Sequence, residues 1–254
     1  AMAYWGLSFC LGPTDALKPA QAAASAYHLA MQFGTDKEQR LCAARVLELA
    51  GTGARQAFIA TLDAAIVAHP TDVEIWIWRG KIYGQYGVGS DEEMTLSEKV
   101  LAGMPFELGA HLLQPDHPSP NHELIHTYEQ IDRPALGWPY TYQFRDAAPN
   151  MPHANHMQAH LAMRLGRCEE ALAATRRAFF KASQGFPELD PGHHLYVLAL
   201  ALAHEGRFEE ANRTAYEARG HVSWARLLRL MSDQDGLRRW AEDANVKPTV
   251  DSLY

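Results

Sequence analysis

The sequence predicts an all-α chain of stacked helical hairpins. Three observations predict it. Strand signals are nearly absent while helical periodicity and alanine-rich runs dominate. "GRCEEALAATRRAF" from Gly166 returns as "GRFEEANRTAYEA" from Gly206, an offset of 40 residues. Each copy follows an apolar helical stretch, "HMQAHLAMRL" and "HLYVLALALAHE". The unit is therefore helix, Gly-Arg turn, helix. The glycine ends the first helix where left-handed backbone is wanted, and the Glu-Glu pair complements the positive end of the second.

In chain order the hairpins are expected near 2–33, 38–67, 71–104, 119–147, 151–184, 189–219 and 222–243. Together they form one right-handed superhelical domain over 1–254. The stretch "PFELGAHLLQPDHPSP" holds four prolines over 105–120 and reads as a long loop. "AMAYWGLSF" reads as the middle of a helix, so the natural start is expected upstream.

The chain has 254 residues, 47% of them hydrophobic, enough for a full core. Mean hydropathy is −0.27 and no apolar run reaches the roughly 18 residues of a membrane span. A net charge of −7 argues against nucleic acid as a partner. Cys10, Cys42 and Cys168 are odd in number and far apart, so they make neither a disulfide framework nor a metal knuckle. A soluble protein is expected, with the cytoplasm favoured.

Histidine carries the functional signal. Five of the 13 histidines fall within residues 122–160. His122, His126 and Glu129 are spaced i, i+4, i+7 and share one helix face. His153, His156 and His160 are spaced i, i+3, i+7 and share another. Alanines at 159 and 171 turn toward the paired helix, which aims the histidine stripe at the concave groove. His193 stands where the next repeat has the counterpart of His153, so three repeats are expected to direct ligands to one volume. His194 is a candidate for orienting ligands at most, and the hydroxyl of Tyr196 a lesser candidate for the site. "HELIH" matches the zinc-protease pattern H-E-x-x-H, with Glu123 in the base position. The matching third-ligand pattern and the substrate-holding edge strand are both absent from the sequence, so that chemistry is disfavoured.

The strings "AMAYWGLSFCLGP", "NHELIH…E", "HANHMQAH…GRCEEA" and "GHHLYVLA…GRFEEA" together resemble a family of bacterial tetratricopeptide-repeat proteins. The resemblance covers most of the chain and rests on the Ala-Met-Ala-Tyr-Trp-Gly opening and the H-x-x-x-H-x-x-E and H-x-x-H-M-x-x-x-H spacings. It implies a tetratricopeptide superhelix and carries over His122, His126, Glu129, His153, His156, His160 and His193. It implies no particular reaction. This chain departs by placing His194 where asparagine is usual and by shortening the turn after Glu129. In the family a further helix precedes the opening motif.

The expectation is a metalloprotein with His122, His126, His153, His156, His160 and His193 as ligands and Glu129 as ligand or catalytic base. Nitrogen-rich ligation favours zinc, copper or iron(II) over magnesium or calcium. A small molecule or peptide would enter the groove, and catalysis would be hydrolytic or oxygen-activating. The competing expectation is a non-catalytic scaffold for a peptide or protein partner.

Overall fold

The computed structural model describes residues 1–11, 17–82, 94–183 and 191–217. It contains helices α1 (Met2–Cys10), α2 (Leu17–Phe33), α3 (Asp36–Leu49), α4 (Arg55–Ala68), α5 (Val73–Lys81) and α6 (Leu96–Leu113). These are followed by α7 (Pro118–Gln130), α8 (Pro134–Ala147), α9 (Pro152–Arg164), α10 (Cys168–Ser183), α11 (Pro191–His204) and α12 (Phe208–Glu217). No strand occurs among the described residues. The all-helical expectation holds, and the hairpin expected at 222–243 lies outside the described residues. The chain divides into two compact units, residues 1–131 and 132–254.

In the first unit each helix packs on its neighbour in sequence. The opening motif earns its place by packing. Met2 and Trp5 lie against Ala26, Ala30, Cys42 and Leu41. The Trp5 ring meets Trp78 edge-on at 5.7 Å between centroids. Arg45 is buried and donates to the Ser8 carbonyl at 2.8 Å while its guanidinium covers Phe9. Reciprocal caps open two helices. Thr35 accepts from the Glu38 amide, Thr95 from that of Glu98, and each glutamate accepts from its cap residue's own amide.

The loop expected over 105–120 is largely helix. Residues 105–113 belong to α6, with Pro105 inside it, and Pro118 occupies the first position of α7. Two physical reasons override the prolines. The buried positions Val100, Gly103, Glu107 and Ala110 recur at helical spacing and pull α6 into the core. Proline at a first helical position removes no bond the helix needs. Only residues 114–117 connect α6 to α7.

In the second unit the 40-residue repeat is reproduced bond for bond. Gly166 and Gly206 have φ of +69° and +74°. Arg167 N–H donates to the Ala162 carbonyl at 2.8 Å, and Arg207 N–H to that of Leu202 at 2.9 Å. This six-to-one closure satisfies carbonyls at each helix end and needs the left-handed glycine. Arg167 then pairs with Glu170 and Arg207 with Glu210. Ala159, Ala171, Ala199 and Ala211 are fully buried in one core, the close packing that their small size permits.

Candidate metal centre

Helices α7 and α9 start alike. Each has 13 residues, and Pro118, Asn121, His122 and His126 recur as Pro152, Asn155, His156 and His160. The shared string is N-H-x-x-x-H. In α7 the buried Asn121 amide donates to the Pro115 and His117 carbonyls, both at 2.9 Å. In α9 the buried Asn155 amide donates to the Pro149 and Met151 carbonyls at 3.4 and 3.2 Å. Each asparagine ties the incoming connection to the first turns of its helix. That fixes where the next residue, a histidine, begins its stripe.

The histidine pairs repeat the same ring geometry. His122 and His126 stand edge to face, 4.7 Å between centroids and 87° between planes. His156 and His160 have the same 4.7 Å and 87°. A ring nitrogen of His122 lies within 4.8 Å of one on His126. In α9 the two Nε2 atoms are 2.9 Å apart. Two imidazoles on one tetrahedral ion with bonds of 2.0–2.1 Å would hold their nitrogens roughly 3.3 Å apart. The α9 pair is closer than that, at the distance of a ring-to-ring hydrogen bond in which one Nε2 donates to the other.

What surrounds the pairs differs. In the first unit carboxylates face the Nδ1 atoms. Glu123 Oε1 lies 3.2 Å from His122 Nδ1. Glu129 Oε2 lies 3.6 Å from His126 Nδ1. Burial pushes the Glu123 carboxyl up, but His122 and Lys81, whose Nζ is 3.6 Å away, hold it well below the usual carboxylate range. Burial likewise pushes His122 down, toward the neutral imidazole. A neutral His122 facing a carboxylate donates Nδ1–H, which leaves the Nε2 lone pair available.

Beneath α7 lies a residue that sequence reasoning missed. Glu107 of α6 is 3% exposed and accepts a hydrogen bond from Thr127 Oγ1 at 2.9 Å. Burial pushes its carboxyl up to about 8, and the Glu123 charge adds to that. Glycines make room for it. A Cβ at Gly80 would sit 3.1 Å from Glu107 Cγ, and one at Gly103 only 2.7 Å from the Gly80 carbonyl oxygen.

In the second unit the α9 pair has aromatic neighbours. His156 is fully buried, and the ring of His194 from α11 stacks on it at 3.9 Å and 10°. His153 lies 5.8 Å from His156 and 6.5 Å from Phe144, between ring centroids. His194 therefore packs directly against the pair, a larger role than its sequence position suggested. The side chain of His193 lies outside the described residues. Tyr196 packs into the alanine-rich core.

The zinc-protease likeness of "HELIH" ends at the spacing. Glu123 faces the Nδ1 of its own neighbour and the Lys81 ammonium, which occupies the carboxylate that a protease would turn to water. The asparagines and the α7–α9 likeness were visible as "NHELIH" and "NHMQAH", 34 residues apart.

Hairpin helices with reproduced Gly-Arg closures define a helical-repeat protein of tetratricopeptide type. Solved structures bear out that fold. A tetratricopeptide repeat protein from Parabacteroides merdae is similar with a TM-score of 0.56 at 10% identity, over 94% of this chain and 96% of that one. MamA (41–end) from Desulfovibrio magneticus RS-1 is similar with a TM-score of 0.50 at 11% identity, over 85% and 97%. MamA of AMB-1 gives 0.51 at 20% identity, over 65% and 88%. These likenesses establish the fold alone. No described protein family and no curated protein matches the chain. No helix among the described residues is long and apolar enough to cross a membrane.

Proposed function

We propose that this chain is a metalloprotein of tetratricopeptide type whose N-H-x-x-x-H helices each supply a pair of imidazoles to a first-row transition ion. His122 and His126 are the ligands from α7, and His156 and His160 those from α9. The observation that carries the reading is the recurrence of one ring-pair geometry, 4.7 Å and 87°, in both copies. The carboxylates at the Nδ1 atoms of the α7 pair support it, since carboxylate–imidazole–metal is how proteins orient a ligating histidine. Glu129, named from sequence as ligand or base, fits better as a residue that positions His126. His153, 5.8 Å from His156 between ring centroids, extends the ligand set on the α9 side, and His193 remains a ligand candidate from its place in the sequence. Zinc, copper and iron(II) suit such nitrogen donors. Two imidazoles from one helix leave coordination positions for water or substrate, which is the basis for hydrolytic or oxygen-activating use.

The fold supports a second reading, a scaffold whose repeats hold a peptide or protein partner without a metal. One experiment separates the two. Protein purified without an affinity tag is dialysed against Zn(II) and its metal content measured. Stoichiometric metal that is lost in His122→Ala/His126→Ala and in His156→Ala/His160→Ala supports the metalloprotein. Metal content below one ion per chain, or unchanged in both double variants, sinks it.

A further inference from the structure

In α7 the Glu123 carboxylate lies 3.2 Å from His122 Nδ1. At the matching place α9 has Met157, fully buried and without an oxygen to offer. His156 nonetheless brings its Nε2 to 2.9 Å from that of His160. Against its face lies the ring of His194, stacked at 3.9 Å between centroids and 10° between planes. His194 is itself 1% exposed, and Phe179 of α10 meets its ring edge-on at 6.2 Å. The core carries His194 to this place. His194, Val197 and Ala201 are spaced i, i+3, i+7 and share a face of α11. Val197 and Ala201 pack in one core with Ala159 and Ala162 of α9.

His194 is not placed to be a ligand beside His156. An ion held by an imidazole lies in the plane of the ring, about 2.0–2.1 Å from the nitrogen. Two rings stacked face to face have planes a ring thickness apart, so no single ion lies in both. His156 and His160 are different. Their planes cross at 87°, and their Nε2 atoms face one another. His194 therefore acts on an ion of the α9 pair through His156. A flat ring packed on the imidazole face blocks the rotation that would swing Nε2 away from His160.

We infer that His194 is a positioning residue for the α9 pair: its stacked ring holds the His156 imidazole with Nε2 directed at the point that His160 Nε2 also faces. That role rests on the metal reading above for its use, while the ring geometry that it sets exists without an ion.

The test compares His194→Phe, which keeps a flat ring in the stack, with His194→Ala, which removes it. His194→Leu, which fills the space without a flat ring, takes the place of the alanine variant if that one does not fold, as judged by circular dichroism. The first readout needs no metal. In the full chain stripped by chelation, the nitrogen–nitrogen coupling across the His156–His160 hydrogen bond is measured by NMR, above the ordinary histidine pKa of about 6.5. The second is Zn(II) affinity by competition with a chromogenic chelator, in the His122→Ala/His126→Ala background that leaves the α9 pair. The coupling is expected in the parent chain and in His194→Phe, and should be lost in His194→Ala. Zn(II) affinity should fall about 10- to 100-fold in His194→Ala, the usual loss with a partner that orients a ligand, and His194→Phe should recover most of it. A parent chain without the coupling overturns the inference, as does a folded His194→Ala that keeps both coupling and affinity. Equal damage from phenylalanine and alanine also overturns it, because His194 would then act through its nitrogens. Loss of the coupling in His194→Ala, with no Zn(II) bound by any of the chains, leaves the hold of His194 on His156 standing and removes the metal reading instead.

Discussion

Helices α7 and α9 are two versions of one device. Both open on proline, tie their entry with a buried asparagine, and set two histidines edge to face. They differ in what stands behind the rings. Where α7 has Glu123 and Glu129, α9 has Met157 and Met163 at the corresponding positions. Where α7 rests on Thr127 and the acid of Glu107, α9 has Leu161. In the second unit His194 stacks on His156. The comparison teaches that ring placement and ring electronics are separable. The helix and its asparagine place the imidazoles, and the residues around the rings, on the same helix in α7 and on α11 at His156, decide how basic and how wet those imidazoles are.

The largest expected effect breaks the device at its ligands. His122→Ala/His126→Ala should weaken the ion held through α7 by more than the roughly 100-fold that marks the loss of an outer partner. His156→Ala/His160→Ala should do the same for α9. Metal titration by competition with a chromogenic chelator reads both.

The next effect sharpens the difference between the copies. Glu123→Gln keeps the shape but not the charge at His122 Nδ1, and should cost about 10- to 100-fold in metal affinity. Met157→Leu, at the matching place in α9, should leave affinity within about twofold, because a volume-conserving core exchange is well tolerated. Equal effects from the two would show that the α7 carboxylate does not tune its histidine.

The asparagines come third. Asn121→Ala removes two short bonds from a fully buried amide and should cost about 1–3 kcal/mol in urea unfolding. Asn155→Ala removes two longer ones and should cost less. Glu107 gives an effect that depends on pH. Its folded-state pKa of about 8 lies above the ordinary 4.5, so the stability it confers is present below about pH 4.5 and fades as pH rises toward 8. Glu107→Gln should match the parent chain at pH 4.5 and exceed it at pH 8 by about 1 kcal/mol or more, as followed by thermal melts. A variant that is less stable at pH 8 would contradict the buried-acid account.

Much of this was legible in the sequence, and the failures have physical causes. The Gly-Arg hairpins were read correctly because glycine at positive φ and an acidic first turn are local signals. The helix over 105–113 was missed because proline is a local signal too, and here tertiary burial of Val100, Gly103 and Ala110 outweighs it. The pairing of His122 with His126, and of His156 with His160, follows from i, i+4 spacing alone. The stacking of His194 on His156 joins residues on α9 and α11, and no periodicity within one helix announces it. Glu107 was invisible for the same reason. A glutamate on a helix is ordinarily solvated, and only Gly80 and Gly103 on two crossing helices create the space that buries it.

The central claim is that neutral imidazoles of the N-H-x-x-x-H helices hold a metal ion. The most direct test is Zn(II) occupancy of untagged protein by equilibrium dialysis at steps from pH 8 to pH 5. Each ligand must shed its proton to bind, and an ordinary histidine gains one near pH 6.5. Burial already holds His122 below its ordinary value, so occupancy should persist somewhat below pH 6.5. It should then fall steeply as several protons bind together. Occupancy that never reaches one ion per chain at pH 8, or that rises toward pH 5, would contradict the account.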